Sequence, residues 1–433
     1  MRIQKSHFWN SRDKRILGGE QVIFIVDEIM GSGKTKKAIE YINSTKREQK
    51  FIFVTPYLSE VERIVELCPA KNFYAPDNKK GNKNKSLMSQ IKERRNIVTT
   101  HALFGRLSKE NLDEIKKVGY ELIMDETSNV IEEYETIGEG DYEGFIKNKT
   151  TIDDNGCLTW TGSFSKKYYK TEYELCKLHS LYYKNGKFYK LQSPYIYSSF
   201  KNVYIMTYRF KSQLHSYYLN MHGLKYRYRP FNHNTKSPHD FAKLIIIDKH
   251  EQLYKWDNRS ILDKNKNDET IFSKNWYRTR NTEQLKEVRN ALTNYFRNLP
   301  VHYDPVFGYE RSKKEYNMWT TFKQYRNQIG NNGYQTCFVP CNAKATNEFM
   351  DKTVIAYLCN IYVPPAIKEF FPTVNEDEYA LTEMLQFLWR SAIRLDKTIT
   401  VYIPSKRMRN LLKKWLSMWY NLNRFSNEIK INM

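Results

Sequence analysis

The sequence contains six cysteines but no Cys-x-x-Cys pair, and no histidines follow such a pair with the spacing of a zinc finger. It therefore lacks the ligand pattern of a zinc finger or zinc ribbon. Cys337 and Cys341 are the most closely spaced pair, and their spacing is only weak support for a metal site. We expect all six cysteines to be reduced thiols of a cytosolic protein.

Long apolar runs are also absent. No stretch approaches the roughly 18 consecutive apolar residues of a membrane-spanning helix, and the first residues show no apolar core of a signal peptide. No short-period internal repeat is visible. The sequence therefore predicts a cytoplasmic protein without a membrane partner.

Basic and aromatic residues are abundant. Lysine and arginine number 70 against 48 acidic residues, which gives a formal net charge of +22, and 33 tyrosines raise the aromatic content to 15%. This balance favours a polyanionic partner such as nucleic acid, because tyrosines of the protein can stack on bases while its lysines hold phosphates. The alternative is a protein with a charged surface and an aromatic core. At 433 residues, the chain is long enough for two or three domains.

One stretch has the pattern of a phosphate-binding loop. An apolar run at 22–26 is typical of a buried strand, Met30-Gly31-Ser32-Gly33-Lys34-Thr35 follows it, and apolar residues at 38, 39 and 42 then indicate a helix. Backbone N–H groups at Gly31, Ser32 and Gly33 would surround a phosphate at the helix N-terminus.

The same loop predicts ATP and Mg²⁺ as cofactors. Lys34 would reach the β- and γ-phosphates, and the Thr35 hydroxyl would ligate the metal. Glu28 stands where the full Walker A spacing has its first glycine. The alternative is a plain Gly-Ser turn before a lysine-bearing helix.

Strand and helix patterns alternate along the rest of the chain. Such alternation predicts an α/β fold with parallel sheets covered on both faces. We expect two tandem domains, residues 1–225 and 226–433. A β-rich insertion at about 134–200 in the first carries Asn-Gly hairpin signals at 151–160 and 181–191. The predicted strands after 22–26 are 51–57, 121–124, 202–208, 243–248, 336–340, 353–357 and 398–404, and 96–104 is predicted as a strand that runs into a helix. Helices are predicted at 282–298 and 378–395.

Two adjacent carboxylates follow the predicted strand 121–124. Because ligands bind beyond the carboxyl ends of parallel strands, the fold would bring Lys34 and Asp125 together. Hydrolysis of a nucleoside triphosphate needs one carboxylate near Mg²⁺ and another that orients or deprotonates water. We assign Asp125 to the metal and Glu126 to the water. An Asp-Glu pair at a strand end also occurs by chance.

Gln386, Arg390 and Arg394 recur every four residues. In a continuous helix over 378–395 they would share one face and could approach phosphates with paired donors. The alternative is a solvated basic face of that helix.

These stretches stand in the order of conserved helicase motifs, and the chain resembles a superfamily 2 (DEAD/DEAH-like) helicase of the phage-encoded type. The matching stretches, in the order of motifs I, Ia, Ib, II and VI, are Met30-Gly31-Ser32-Gly33-Lys34-Thr35, Thr55-Pro56-Tyr57, Thr99-Thr100-His101, Asp125-Glu126-Thr127 and Gln386-x-x-x-Arg390-x-x-x-Arg394. Met206-Thr207-Tyr208 and Ala345-Thr346-Asn347-Glu348-Phe349 stand in the places of motifs III and V.

The resemblance implies two RecA-like lobes with ATP between them. The second lobe would supply Arg390 and Arg394 as arginine fingers, together with Gln386 as a catalytic residue, and Thr207 would couple the nucleotide and nucleic-acid sites. The residues implied to touch the nucleic-acid backbone are Thr55, Thr100 and Thr346.

The sequence therefore predicts a nucleic-acid-dependent ATPase or helicase that translocates on single-stranded or forked DNA. Its setting would be phage DNA replication or recombination in the host cytoplasm, with replication proteins as further candidate partners. One alternative is a terminase-like DNA-packaging ATPase, for which Asp248 is the only appealing nuclease acid. Another is an ATP-gated DNA-binding or loading factor.

Overall fold

The computed structural model describes residues 22–431, except 80, 136–141, 164–168, 231–236, 249–267, 299–300, 305–307, 312, 331–332 and 342–346. The chain forms two compact units. The first extends to Thr235 and also includes Pro365–Pro372, whereas the second begins at Lys236 and also includes Ile29–Ser32. None of the described helices is long and apolar enough to cross a membrane.

The first unit contains a parallel sheet of seven strands in the order β12-β1-β11-β5-β2-β4-β3. The strands of this unit are β1 (Val22–Asp27), β2 (Phe51–Thr55), β3 (Phe73–Tyr74), β4 (Asn96–Thr100), β5 (Glu121–Asp125), β6 (Ile131–Glu133), β7 (Thr150–Ile152), β8 (Leu158–Trp160), β9 (Leu181–Lys184), β10 (Lys187–Leu191), β11 (Asn202–Thr207) and β12 (Tyr226–Tyr228). The predicted strands 22–26, 51–57, 96–104, 121–124 and 202–208 are confirmed as β1, β2, β4, β5 and β11.

Among the described residues of the first unit, nine helices lie between these strands. They are α1 (Lys34–Ser44), α2 (Leu58–Leu67), α3 (Lys83–Lys92), α4 (His101–Phe104), α5 (Lys109–Val118), α6 (Tyr142–Lys149), α7 (Lys170–Lys177), α8 (Tyr195–Ser199) and α9 (Leu214–Met221). Helix α1 buries Ala38, Ile39 and Ile42, the apolar positions that predicted it. Helix α5 begins at a capping box of Ser108 and Asn111, which satisfies N–H groups at its first turn.

The insertion lies between β5 and β11 and contains the antiparallel sheet β6-β10-β9, the hairpin β7-β8 and helices α6 and α7. Both predicted hairpins are confirmed. Asn185 and Gly186 at the second turn both have positive φ, 49° and 81°. A type I′ turn requires this at both central residues, and it explains the Asn-Gly signal.

The second unit contains a parallel sheet of four strands in the order β13-β18-β17-β16 and an antiparallel pair, β14-β15. Its strands are β13 (Ile245–Ile247), β14 (Val301–Asp304), β15 (Gly308–Arg311), β16 (Asn317–Thr320), β17 (Val354–Tyr357) and β18 (Ile399–Tyr402). The remaining helices of the described part of the chain are α10 (Pro238–Ala242), α11 (Lys274–Arg278), α12 (Thr282–Asn298), α13 (Arg326–Ile329), α14 (Pro365–Phe370), α15 (Glu376–Leu388) and α16 (Lys406–Ile431).

The predicted fold class is confirmed: two tandem α/β domains of RecA-like architecture, with an insertion in the first. Helix 282–298 and the strands at 243–248, 353–357 and 398–404 are confirmed as α12, β13, β17 and β18. The strand predicted at 336–340 is wrong. Gln335–Cys337 is a 3₁₀ turn, with a single bridge from Phe338 to Trp319, and Pro340 cannot donate to a ladder. The division near residue 225 stays a prediction, and β12, which lies just beyond it, pairs with β1.

The helix predicted over 378–395 is also wrong at its C-terminal end. Helix α15 ends at Leu388, and Ala392–Leu395 is a separate 3₁₀ turn. Between them, Ser391 is extended, and its backbone N–H and its hydroxyl both donate to the Leu388 carbonyl. The Ala392 N–H donates to the Lys352 carbonyl at 2.9 Å instead of continuing the helix. Gln386 therefore lies on α15, whereas Arg390 and Arg394 lie beyond it. The prediction that all three share one helical face fails.

A short segment from the C-terminal half, Pro365–Pro372, belongs to the first unit, and we call it the strap. The Phe370 ring lies 4.6 Å from the Tyr189 ring and 5.9 Å from the Tyr182 ring of the insertion. The Lys184 ammonium donates to the Glu369 carbonyl at 2.8 Å. Tyr182 and Tyr189 are buried. These aromatic side chains of the hairpin therefore pack on the strap, and their rings are not exposed for base stacking.

Candidate nucleotide-binding site

The loop between β1 and α1 has the backbone shape of a phosphate cradle. Gly31 and Gly33 have φ values of 80° and 91°, in the left-handed region that favours glycine. Gly33 is the N-cap of α1, an 11-residue helix, so the N–H groups of the first turn point out of the helix end. A loop of this kind at a helix N-terminus attracts anions, phosphates in particular.

Lys34 is buried at the start of this helix, with 6% of its surface exposed. Its ammonium donates to the Glu28 carbonyl at 2.7 Å, across the loop. Burial lowers the pKa of Lys34, and the nearby carboxylates of Glu126 and Asp125 oppose that shift. The ammonium is therefore held inside the loop, facing acidic groups on another strand.

Thr35 and Asp125 meet although strand β11 separates β1 from β5 in the sheet. The Thr35 hydroxyl donates to Asp125 Oδ2 at 2.9 Å. A hydroxyl and a carboxylate are ligands that Mg²⁺ prefers, and this ion commonly completes its shell with waters and substrate phosphates. Within the described parts of the chain, no group of three or more His, Cys, Asp or Glu side chains could hold a metal alone. By the chemistry of its two oxygen donors, the pair of Thr35 and Asp125 fits a magnesium ion.

The Asp125 carboxyl is poorly hydrated. Burial, followed by the charge of Glu126, raises the pKa of Asp125 from 3.8 to about 7, whereas the Thr35 bond and the Lys34 charge oppose the shift. A second contact fixes the same residue, because His101 Nε2 lies 3.0 Å from its backbone carbonyl. A carbonyl can only accept, so Nε2 carries the proton.

Glu126 is held in an unusual backbone conformation. Its φ is 65°, in the left-handed region that a non-glycine residue seldom adopts. Its backbone N–H donates to the Met206 carbonyl at 2.9 Å, and its Oε2 accepts from the Thr207 hydroxyl at 3.3 Å. The end of β11 therefore positions the carboxylate that follows β5.

One further acidic residue of the site was not predicted from the sequence. Asp27, the last residue of β1, accepts the backbone N–H groups of Arg209 at 2.6 Å and Phe210 at 3.0 Å. Burial raises the pKa of Asp27, and these two bonds oppose the shift. Asp27 thus ties the strand before the phosphate loop to the turn after β11. Its position directly before Glu28 was the only sequence signal.

The three threonines assigned to nucleic acid differ in accessibility. Thr55 and Thr100 pair in register at the ends of β2 and β4. Thr55 is fully buried, and its hydroxyl has no hydrogen-bond partner within the described residues, whereas Thr100 is half-buried. Thr346 lies outside the described residues.

The predicted catalytic residues of the second unit lie in different surroundings. Arg390 is buried, and its Nη1 donates to the carbonyls of Cys341 at 3.2 Å and Pro340 at 3.4 Å. Its guanidinium also lies over the Phe387 ring, 5.4 Å from the centroid. Gln386 and Arg394 are half-buried. In this conformation Arg390 anchors the 340–341 turn, and Arg394 is the more accessible arginine.

One sequence relative covers almost the whole chain. The chain is 34% identical over 419 residues to the SPbeta prophage-derived uncharacterized protein YonV of Bacillus subtilis (strain 168), covering 90% of this chain and 98% of that protein. Residues 239–416 match the YonV C-terminal Rossmann-like domain.

Three solved structures match the chain with low similarity. S. tokodaii Xpd4 gives a TM-score of 0.43 at 10% identity, covering 93% of this chain and 95% of Xpd4. The DUF1998 helicase MrfA bound to DNA and AMPPNP gives 0.34 at 10% identity, over 94% of this chain and 49% of MrfA. The Sulfolobus solfataricus SWI2/SNF2 ATPase core in complex with dsDNA gives a TM-score of 0.25 at 12% identity, covering 90% of this chain and 84% of that core.

Proposed function

This chain belongs to the YonV family, and we propose that it is a nucleic-acid-stimulated ATPase of helicase type that translocates on DNA. The observation that carries the proposal is the bond between Thr35 and Asp125 beside the buried Lys34. Residues 90 positions apart meet there beside a glycine loop at a helix N-terminus. This is the arrangement that phosphate and magnesium binding requires.

In this proposal each residue of the site has one task. The N–H groups of Gly31, Ser32 and Gly33 and the ammonium of Lys34 bind the β- and γ-phosphates. Thr35 and Asp125 hold Mg²⁺, which when bound neutralises charge on the transferring phosphoryl group. Glu126 orients the attacking water and accepts its proton, with its carboxylate held by Thr207.

The second unit would supply positive charge to the transition state. Arginine fingers accelerate phosphoryl transfer by about a thousandfold or more. Arg394 is our first choice for this task because it is half-buried and accessible. Arg390 would first have to leave the carbonyls of Pro340 and Cys341. Gln386 would assist from the last turn of α15.

DNA is the proposed partner. The net charge of +22 favours a polyanion. Thr100 would touch the backbone directly, whereas Thr55 would need a local opening to do so, and Thr346 is assigned from its sequence position alone. Binding by both lobes, combined with ATP-driven closure and reopening, would move the protein along a strand. The prophage origin of the YonV relative supports a phage setting. Within that setting, the proposed role is in DNA replication or recombination, beside replication proteins in the host cytoplasm.

The structure gives little support to the packaging-motor alternative. A metal-dependent nuclease needs clustered carboxylates, and the described residues contain no such group of three. Asp248, the acid considered for that role, is buried beyond β13. A non-hydrolysing loading factor would share the nucleotide site and differ only in turnover.

One experiment separates the three functions. Purified protein is assayed for ATP turnover with and without single-stranded DNA, for displacement of a labelled strand from a forked duplex, and for cleavage of supercoiled plasmid in the presence of a divalent metal. We expect turnover that rises with DNA and requires Mg²⁺. Nucleotide binding without DNA-stimulated turnover would replace the proposal with a loading factor. Metal-dependent cleavage of supercoiled plasmid would replace it with a packaging motor.

A further inference from the structure

A buried glutamine connects the two strand ends that carry the chemistry. Gln213 lies between β11 and α9, and 7% of its surface is exposed. Its Nε2 donates to the Thr207 hydroxyl oxygen at 2.8 Å and to the Tyr208 carbonyl at 2.8 Å. Its Oε1 accepts from the Thr127 hydroxyl at 2.7 Å. Both amide hydrogens and the amide oxygen are therefore used.

These partners fix the donor and the acceptor of each hydrogen bond that connects Gln213, Thr207 and Glu126. The Tyr208 carbonyl can only accept, so the amide nitrogen of Gln213 must face it. The Thr207 oxygen then receives the second amide hydrogen, and its own hydroxyl proton must go elsewhere. Oε2 of Glu126, at 3.3 Å, is the acceptor. The glutamine thereby orients the Thr207 hydroxyl so that it donates to the Glu126 carboxylate.

The same amide also holds the main chain next to Glu126. Thr127 follows Glu126 directly, and its hydroxyl is bonded to Gln213. Glu126 has a φ of 65°, and such a conformation persists in a non-glycine residue only where the surroundings enforce it. Gln213 therefore acts on Glu126 twice, through the carboxylate and through the neighbouring residue.

We propose that Gln213 is a positioning residue for ATP hydrolysis, which holds the Glu126 carboxylate toward the attacking water through Thr207 and Thr127. The inference rests on the proposed function, since it needs Glu126 to act on water. These three hydrogen bonds of Gln213 all lead to residues outside the phosphate loop, so Gln213 should influence the chemical step and leave nucleotide binding unchanged.

The test is Gln213→Met, which keeps the length of the side chain and removes all three hydrogen bonds. We expect kcat for DNA-stimulated ATP hydrolysis to fall about tenfold or more, because losing one orienting bond of ~1.4 kcal/mol in the transition state is tenfold in rate. KM for ATP and the Kd of a non-hydrolysable analogue should stay within about twofold of wild type.

A double variant tests the route through Thr207. Thr207→Val should lower kcat by no more than Gln213→Met does, and Gln213→Met combined with Thr207→Val should be little worse than Gln213→Met alone, because the glutamine variant already breaks the route through Thr207. Multiplying effects would contradict that route. Gln49→Met is the matched control. Its amide donates to the carbonyls of Lys50 and Gly119 at the far end of the sheet, so kcat should be unchanged.

The outcomes separate this inference from the proposed function. If wild-type protein does not hydrolyse ATP, the proposed function fails and the inference fails with it. If wild type hydrolyses ATP, Lys34→Ala does not, and Gln213→Met has wild-type kcat, only the inference is overturned. Loss of nucleotide binding together with kcat would show a purely structural role and would also overturn it. Should Gln213→Met not fold, Thr127→Val provides the same test, with a kcat loss expected and unchanged kcat contradicting the inference.

Discussion

Asp125→Asn should stabilise the nucleotide-free protein, and the gain should grow as the pH rises from about 4 to about 7. Burial and the charge of Glu126 raise the pKa of Asp125 from 3.8 to about 7. The folded protein therefore retains a proton that the unfolded chain releases near pH 4. Because only the folded protein binds this proton between about pH 4 and about pH 7, the unfolding free energy of the wild type falls as the pH rises through that range. Asparagine never ionises and can still accept from Thr35.

The magnitude follows from the pKa. Each unit corresponds to about 1.4 kcal/mol, so between pH 5 and pH 8 the gain in unfolding free energy from Asp125→Asn should grow by at most about 3 kcal/mol. Denaturant unfolding in the presence of a chelator at the two pH values measures it. Asp113→Asn removes an exposed carboxylate paired with Lys109 at 3.5 Å and should change stability by less than about 0.5 kcal/mol.

An equal gain at both pH values, or a loss at pH 8, would refute the burial argument for Asp125. Magnesium and ATP provide a second arm of the same experiment. Because the carboxylate would hold the cation, they should stabilise the wild type by mass action and stabilise Asp125→Asn much less.

Two further predictions concern the second unit and the strap. Arg394→Ala should abolish ATP turnover, while single-stranded DNA binding, measured by fluorescence anisotropy, stays within a few-fold of wild type. Lys397→Ala, which changes an exposed neighbour, is the control. Wild-type turnover in Arg394→Ala would remove Arg394 from the site. Phe370→Ala should lower the unfolding free energy of the first unit by about 3–5 kcal/mol, because the buried Phe370 ring packs on Tyr182 and Tyr189. Ile152→Ala, at an exposed apolar residue of the insertion, should lower it little. Equally small losses for the two variants in thermal or denaturant unfolding would contradict the packing of the strap.

The parallel sheets were predictable because their strands are apolar runs with clear ends. β1, β2, β5 and β11 are buried along most of their length, and such runs stand out against a polar sequence. β12 was missed, since Tyr226-Arg227-Tyr228 is a mostly exposed edge strand without an apolar run.

The limit of a spacing argument is visible at Arg390. A four-residue repeat places side chains on one face only while the helix continues, and Ser391 ends that continuity by bonding to the Leu388 carbonyl. Nothing in the spacing of Gln386, Arg390 and Arg394 reports this local competition.

The phosphate loop and the carboxylate pair were predictable because each is a contiguous motif at a strand end. The residues that orient them were not. Gln213 meets Thr127 from 86 positions away, and Asp27 meets backbone N–H groups 182 and 183 positions away. Such contacts depend on the strand order β1-β11-β5, which a single sequence does not encode in any local pattern.

The most direct test of the central claim is the rate of phosphate release from ATP by wild type and Lys34→Ala, each with saturating single-stranded DNA. Lys37→Ala, which changes a half-buried lysine of the same helix paired with Glu40, is the matched control. We predict DNA-stimulated turnover in wild type and Lys37→Ala and none in Lys34→Ala, with DNA binding retained in all three. Wild-type turnover in Lys34→Ala would contradict the claim that this loop is where ATP is hydrolysed.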